Sequence, residues 1–277
     1  MRVRLWGTRG SVAAPGTDTA RYGGNTSCVE VRGAEGTLLV LDAGTGIRPL
    51  GRALAGTITR VDVLLTHFHM DHIQGLGFFA PLYDPSVETH LWGPSSTTLT
   101  LRARLMRYLS PPLFPVHLRD LPRTVLHELP SGDFDIGEFR VRSDRVCHPG
   151  FTVGYRIAAP NATLTYLCDH EPALGVSNFP LQADWTSGHA LARGADLLIH
   201  DGQYSLAEYG RHVGWGHCAL EHAIAFAEQA GARHLVTFHH DPAHDDPTID
   251  RITSEAVASL RTPLVVTAGA EGAAFDL

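Results

Sequence analysis

The chain has 277 residues, of which 44% are hydrophobic and 18% charged, and its formal net charge is -7. That length and balance describe a globular chain with a sizeable core, and α/β chains of this size often form one domain, so residues 1–277 are read as one. The acidic balance argues against a protein whose main task is wrapping nucleic acid, which runs on Lys and Arg; it leaves room for a small anionic substrate where metal ions supply local positive charge.

From the N-terminus, Met1-Arg2-Val3-Arg4-Leu5-Trp6-Gly7 is too short an apolar run for a signal peptide, and no later stretch could span a bilayer. The cysteines Cys28, Cys147, Cys168 and Cys218 form no CxxC pair, so a cytoplasmic location is expected. Strands are predicted over 3–6, 27–31, 37–41, 61–65 and 89–92. Ser95 is placed to cap a helix reaching about Tyr108. The Pro-rich stretch 110–130 reads as an irregular surface connection, not a lid. Further strands are predicted over 139–142, 153–158, 163–167, 197–200, 234–238, 264–267 and 273–275. Ala219, Leu220, Ala223, Ile224 and Ala227 recur at helical spacing before Gly231, and Asp246 and Pro247 read as the cap and first-turn proline of a helix through Ala258.

The most informative segment is Thr66-His67-Phe68-His69-Met70-Asp71-His72, which packs four strong metal-ligand side chains into six positions just after a strand. In an extended segment residues i and i+2 share a side, so His67 and His69 can grip one ion together. Asp71 and His72 lie past the turn and can grip a second. Imidazole with carboxylate suits zinc, iron or manganese. Other polar side chains stand at predicted strand ends: Asp42 in Leu41-Asp42-Ala43-Gly44, His148 before Pro149-Gly150, Asp169 after Leu167-Cys168, and His239 after Phe238. Cys147 adjoins His148, Cys168 adjoins Asp169 and Cys218 follows a further site candidate, His217, as expected of small, easily buried residues beside a site.

In these residues the chain resembles the metallo-β-lactamase superfamily of dinuclear metallohydrolases. His67-Phe68-His69-Met70-Asp71-His72 matches its HxHxDH signature, and His148, Asp169 and His239 match its remaining ligands in order. The resemblance runs over about residues 3–269 and implies an α/β fold, a four-layer αβ/βα sandwich of two mixed β-sheets with the site along one edge. It implies two divalent metal ions, zinc first, with manganese or iron as alternatives. His67, His69 and His148 would hold one ion, Asp71, His72 and His239 the other, and Asp169 both. His239 is preferred to its neighbour His240 as the last ligand; His240 and His244 then become outer or substrate-side candidates, with Asp42 and Asn25.

His200-Asp201-Gly202-Gln203 and Gly216-His217-Cys218 resemble the phosphodiesterase branch, which includes tRNase Z, cyclic-nucleotide phosphodiesterases and phosphoribosyl 1,2-cyclic phosphate phosphodiesterases. Trp6-Gly7-Thr8-Arg9-Gly10-Ser11 and Asn25-Thr26-Ser27-Cys28 resemble it as well. The implied reaction is attack of a metal-bridging hydroxide on phosphorus, with Asp71 among the catalytic groups and His217 assisting the leaving group. Asp201 would orient His200 or His217. Residues 95–145 are not markedly basic and hold no tRNA-binding arm, so a small cyclic phosphodiester is expected, and a nucleic acid is less favoured. A tRNA or single-strand nuclease, a lactone, thioester or β-lactam hydrolase, and a two-iron oxidoreductase are the competing readings. A homodimer is a further expectation of the branch.

Overall fold

Strands β1 (Arg2–Gly7), β2 (Cys28–Arg32), β3 (Leu38–Leu41), β4 (Arg60–Leu64), β5 (Glu88–Gly93) and β6 (Thr124–Glu128) follow one another in the first half of the chain, with helices α1 (Ile47–Leu54), α2 (Met70–Ile73) and α3 (Leu101–Leu105) between them. The second half supplies β7 (Asp133–Ile136), β8 (Phe139–Arg145), β9 (Val153–Ala159), β10 (Ala162–Leu167), β11 (Leu197–Asp201), β12 (His234–Phe238), β13 (Val265–Ala268) and β14 (Ala274–Asp276). Its helices are α4 (His189–Ala192), α5 (Leu206–Tyr209), α6 (Leu220–Ala230) and α7 (Asp246–Leu260). The structure is a computed structural model that describes residues 1–277 except 131, 177, 261 and 262.

The described strands form two mixed sheets, ordered β14-β1-β2-β3-β4-β5-β6 and β13-β12-β11-β10-β9-β8-β7. Strands β3 to β6 are parallel, as are β10 to β13, and the other pairs are antiparallel. Strand alternation explains why the central strands read as unbroken apolar runs. In β3, Leu39 and Leu41 face the other sheet, where they join Tyr155, Ile157, Tyr166, Ile199 and Phe238. Leu38 and Val40 face outward onto Ile47, Leu50 and Leu54 of α1. On the far side, Leu167, Leu198 and Leu235 pack against Ala223, Ile224 and Ala227 of α6 and Ile252 and Ala256 of α7. The result is the expected αβ/βα sandwich. Among the described residues no helix is long and apolar enough to cross a membrane.

Three sequence expectations need correction. The helix placed at Ser95 starts only at Leu101, because Thr100 Oγ1, not Ser95, accepts the Ala103 amide. Asp246 is the first residue of its helix; the cap is Asp245, whose carboxylate accepts the Thr248 amide at 2.8 Å. Residues 110–130 are no mere surface connection. Phe114, Leu118 and Leu121 are buried in the outer core, and residues 124–128 form edge strand β6 beside β5. Phe114 closes on Gly77, where a Cβ would lie 2.5 Å from its ring, and Tyr108 donates to the Gln74 carbonyl at 2.6 Å. The segment therefore buttresses the turn that follows His67–His72. Strand β7 was not foreseen either.

Candidate metal centre

In open α/β sheets, functional groups gather beyond the carboxyl ends of parallel strands, and here both sheets contribute at one edge. Strand β4 leads into Thr66, His67 and His69, and α2 begins at once, so Asp71 and His72 project from its single turn. The β8–β9 turn carries His148, and Asp169 follows β10. His239 follows β12 with φ of 59°, a left-handed backbone uncommon outside glycine. That conformation turns its ring against Gly10, where a Cβ would stand 2.3 Å from His239 Nδ1. Only glycine fits there.

All seven predicted side chains meet, in two lobes shared by one carboxylate. Asp169 Oδ2 lies 3.6 Å from both His67 Nε2 and His148 Nε2, and His148 Nε2 lies 3.2 Å from His69 Nδ1. Asp169 Oδ1 lies 3.0 Å from His72 Nε2 and 3.3 Å from His239 Nε2. Asp71 Oδ2 closes that second lobe at 3.2 Å from the same two nitrogens. Cys168 also borders it, but its side chain pairs with Ser27 Oγ at 3.2 Å, and burial with the Asp169 charge pushes its thiol well up.

The opposite ring nitrogens of four of the five histidines are tied to fixed partners. His67 Nδ1 is 3.0 Å from Thr66 Oγ1, and His72 Nδ1 is 2.9 Å from Asp42 Oδ2. His148 Nδ1 donates to the Gly216 carbonyl at 2.9 Å, and His239 Nδ1 faces Gln203 Oε1 at 3.0 Å. Asp42 also accepts from the Thr66 amide and the Tyr166 hydroxyl. Such outer partners fix the tautomer and leave the inner nitrogen free to ligate. Three of the inner atoms, His67 Nε2, His72 Nε2 and Asp169 Oδ1, are buried without a hydrogen-bond partner among the described residues. Buried orphans of this kind are costly unless something else satisfies them. This donor set of imidazoles and carboxylates fits divalent ions, one in each lobe.

In the first lobe the electrostatics agree, whereas in the second burial of His72 is outweighed by the Asp169, Asp71 and Asp42 carboxylates, which push its pKa well up unless a cation competes for them. Burial, with neighbouring imidazoles, holds His67 well below its usual pKa, and burial brings His148 down to about 4 against the pull of Asp169; neutral imidazole is the ligating form. Burial opposes ionisation of Asp169, yet His239, His72 and His67 hold its carboxyl well below the usual range.

Beside the second lobe stands His217, its ring stacked on His239 at 4.8 Å and edge-on to His148 at 5.1 Å. Its Nδ1 meets Asp201 Oδ2 at 2.7 Å. Asp201 is fully buried and its other oxygen accepts the Gln203 and Cys218 amides. Burial works against a charge on His217, but Asp201, helped by Asp169 and Asp71, outweighs it and the pKa rises to about 9.

Four candidates lie elsewhere. His200 Nε2 pairs with His170 at 2.9 Å and its Nδ1 meets the Asp201 carbonyl at 2.7 Å, so of these two imidazoles the Asp201 carboxylate serves His217. His240 Nε2 donates to the Gly269 carbonyl at 2.8 Å, and His244 Nε2 pairs with Glu208 at 2.9 Å. Asn25 is tied to Glu271 through its amide. Conversely, the sequence reading passed over Gln203, Thr66, Ser11 and Glu171 as site residues. Ser11 donates its amide to Asp71 at 2.9 Å. Gln203, Thr66 and Ser11 left a signal, since each stands within a motif segment of the sequence, whereas Glu171 left none.

Comparison with known proteins matches residues 37–240 to the model of the beta-lactamase superfamily domain. A ribonuclease Z of Myxococcus xanthus (strain DK1622) is 28% identical, covering 84% of this chain and 87% of its own length. Among solved structures, a diphosphatase of the PhnP family superposes with a TM-score of 0.69 at 19% identity, covering 100% of this chain and 97% of that one. Zinc-bound PqqB from Methylobacterium extorquens superposes with a TM-score of 0.72 at 19% identity, covering 100% of both chains. At such identities the solved structures speak to the fold alone.

Proposed function

Since the chain belongs to the beta-lactamase superfamily, we propose that it is a metal-dependent hydrolase of phosphodiesters, acting on a small substrate through a dinuclear centre. The observation that carries the reading is Asp169, whose two oxygens face separate lobes of ligating nitrogens. His67, His69 and His148 would hold one ion, and Asp71, His72 and His239 the other. When bound, two such ions, zinc foremost, activate water and offset charge on the phosphoryl oxygens.

The protein's own groups do the rest. Asp42, Gln203 and the Gly216 carbonyl aim the ligand rings. Asp201 keeps His217 protonated and fixes Nδ1, so Nε2 carries the proton offered to the departing alkoxide. Phosphoryl transfer relies mostly on positioning and electrostatics, which suits a site of rigid, buried imidazoles. A lactone or β-lactam hydrolase on the same core has no use for the Asp201–His217 pair. The ribonuclease Z relative favours a second reading, an RNA substrate on the same centre.

The test is hydrolysis of bis(p-nitrophenyl) phosphate by protein loaded with zinc, manganese or iron and assayed for two ions per chain. Activity that depends on the metal supports the reading. Two bound ions without phosphodiesterase activity would overturn it and direct attention to lactones and thioesters. A panel of cyclic phosphates set against a precursor tRNA with a 3′ trailer then separates small substrate from RNA.

A further inference from the structure

Next to His148 a short loop, residues 210–216, presents a large aromatic side chain to solvent. Trp215 is 60% exposed, although its neighbours Gly216 and His217 are buried. Exposed indole on a mobile loop tip would mean little, but this loop is built. The Glu171 carboxylate, 1% exposed, accepts the amides of Gly214 and Gly216 at 3.0–3.2 Å and the Tyr209 hydroxyl at 2.6 Å. Gly214 and Gly216 take φ of 83° and 85°, which only glycine adopts cheaply. His212 meets the indole edge-on at 5.0 Å and is itself stacked on buried Tyr204 at 4.2 Å. The Trp215 ring is thus propped from behind.

Its place relative to the metal centre is fixed by the chain. Trp215 directly precedes Gly216, whose carbonyl takes the His148 Nδ1 proton at 2.9 Å. Phe151, 42% exposed, follows His148 by three residues, so it lies within about 11 Å of it along the chain. The Arg145 guanidinium sits over the Phe151 ring, 4.7 Å from its centroid, and adds positive charge to the turn that carries His148.

The geometry points to Trp215 as a stacking platform for a nucleobase carried by the phosphodiester. This rests on the phosphodiesterase reading and deepens it, for it selects a nucleoside ester over a base-free cyclic sugar phosphate. A rigid, preordered aromatic face binds a base with little entropy to lose, and removing one such face typically weakens binding five- to a hundredfold.

Two esters with one leaving group test it: thymidine 5′-(p-nitrophenyl phosphate) and methyl p-nitrophenyl phosphate. The zinc-loaded protein should prefer the nucleoside ester by tenfold or more in kcat/KM. Trp215→Ala and Trp215→Leu should cut that preference about tenfold, chiefly through KM, while Trp215→Phe keeps most of it. A preference unchanged in the Ala and Leu variants, or an equal loss on both esters, would overturn the proposal while leaving the phosphodiesterase reading intact. Should neither ester be cleaved, that reading fails alone, and fluorescence decides the subsite. Of the four tryptophans, Trp215 should carry the quenching by adenosine 5′-monophosphate, which Trp215→Phe abolishes; quenching that survives in that variant, or none in the wild type, rules the platform out.

Discussion

His239 and His240 stand side by side after β12, yet the backbone sends them opposite ways. The left-handed φ at His239 carries its ring into the second lobe, and His240 turns back onto the Gly269 carbonyl. His239→Ala should therefore lower bound zinc from two ions per chain to one, while His240→Gln keeps both, as elemental analysis of the purified variants will read. Loss of an ion from the His240 variant alone would reverse the assignment. Gln203 is the partner that holds His239 in register. Removing such an outer partner typically costs 10- to 100-fold in metal affinity, so Gln203→Ala should weaken one of the two zinc sites to that extent in competition with a chromophoric chelator. An unchanged affinity would mean that Gly10 and the backbone alone set the ring. The convergence of the seven side chains was legible because each stands at a strand end in a recognisable order. Their partners were not, since the Gly216 carbonyl leaves no trace in residue identity, and nothing in the sequence assigns Thr66 to His67 or Gln203 to His239.

At the level of elements, the glycine turns between α5 and α6 are held by one buried carboxylate. Glu171 holds them through the Gly214 and Gly216 amides and the Tyr209 hydroxyl. In Glu171→Ala these three donors lose their acceptor, and each unsatisfied buried donor costs about 1–3 kcal/mol. Partial access to water should leave a net loss of about 2–4 kcal/mol in a urea titration. Trypsin should then cut after Arg211 well before it cuts the wild type; equal cleavage would show that the glycine turns hold the loop unaided. The central strands β3, β4, β10, β11 and β12 were easy to foresee, because burial on both faces makes each an apolar run bounded by turns. Strand β6 was not. Thr124-Val125-Leu126-His127-Glu128 is an edge strand with no fully buried residue, so its pattern barely departs from a loop, and the prolines around it mask it further. The same prolines hid the apolar residues that dock on the turn after His72.

For the whole molecule, the ligands divide between the two sheets: His67, His69, Asp71 and His72 come from the first, and His148, Asp169 and His239 from the second. The inner face of the sandwich is largely apolar, with Asp62 and His90 among its buried polar members, but at the site's edge its halves meet through imidazoles and carboxylates, some of them orphaned. Ions bound there would bridge the sheets and neutralise that edge, so folding and metal binding should be linked. Ligand present at 1,000 times its dissociation constant stabilises the native state by about 4 kcal/mol. For a chain of this size each kcal/mol moves Tm by roughly 2–4 °C. Chelation should accordingly lower Tm by about 10 °C, and added zinc should restore it. His217→Ala should show the same zinc-dependent shift, because His217 is no ligand in this scheme, and His239→Ala a smaller one. If chelation leaves Tm unmoved while activity is lost, the apolar interface alone holds the sheets together, and the metal serves the chemistry without serving the fold.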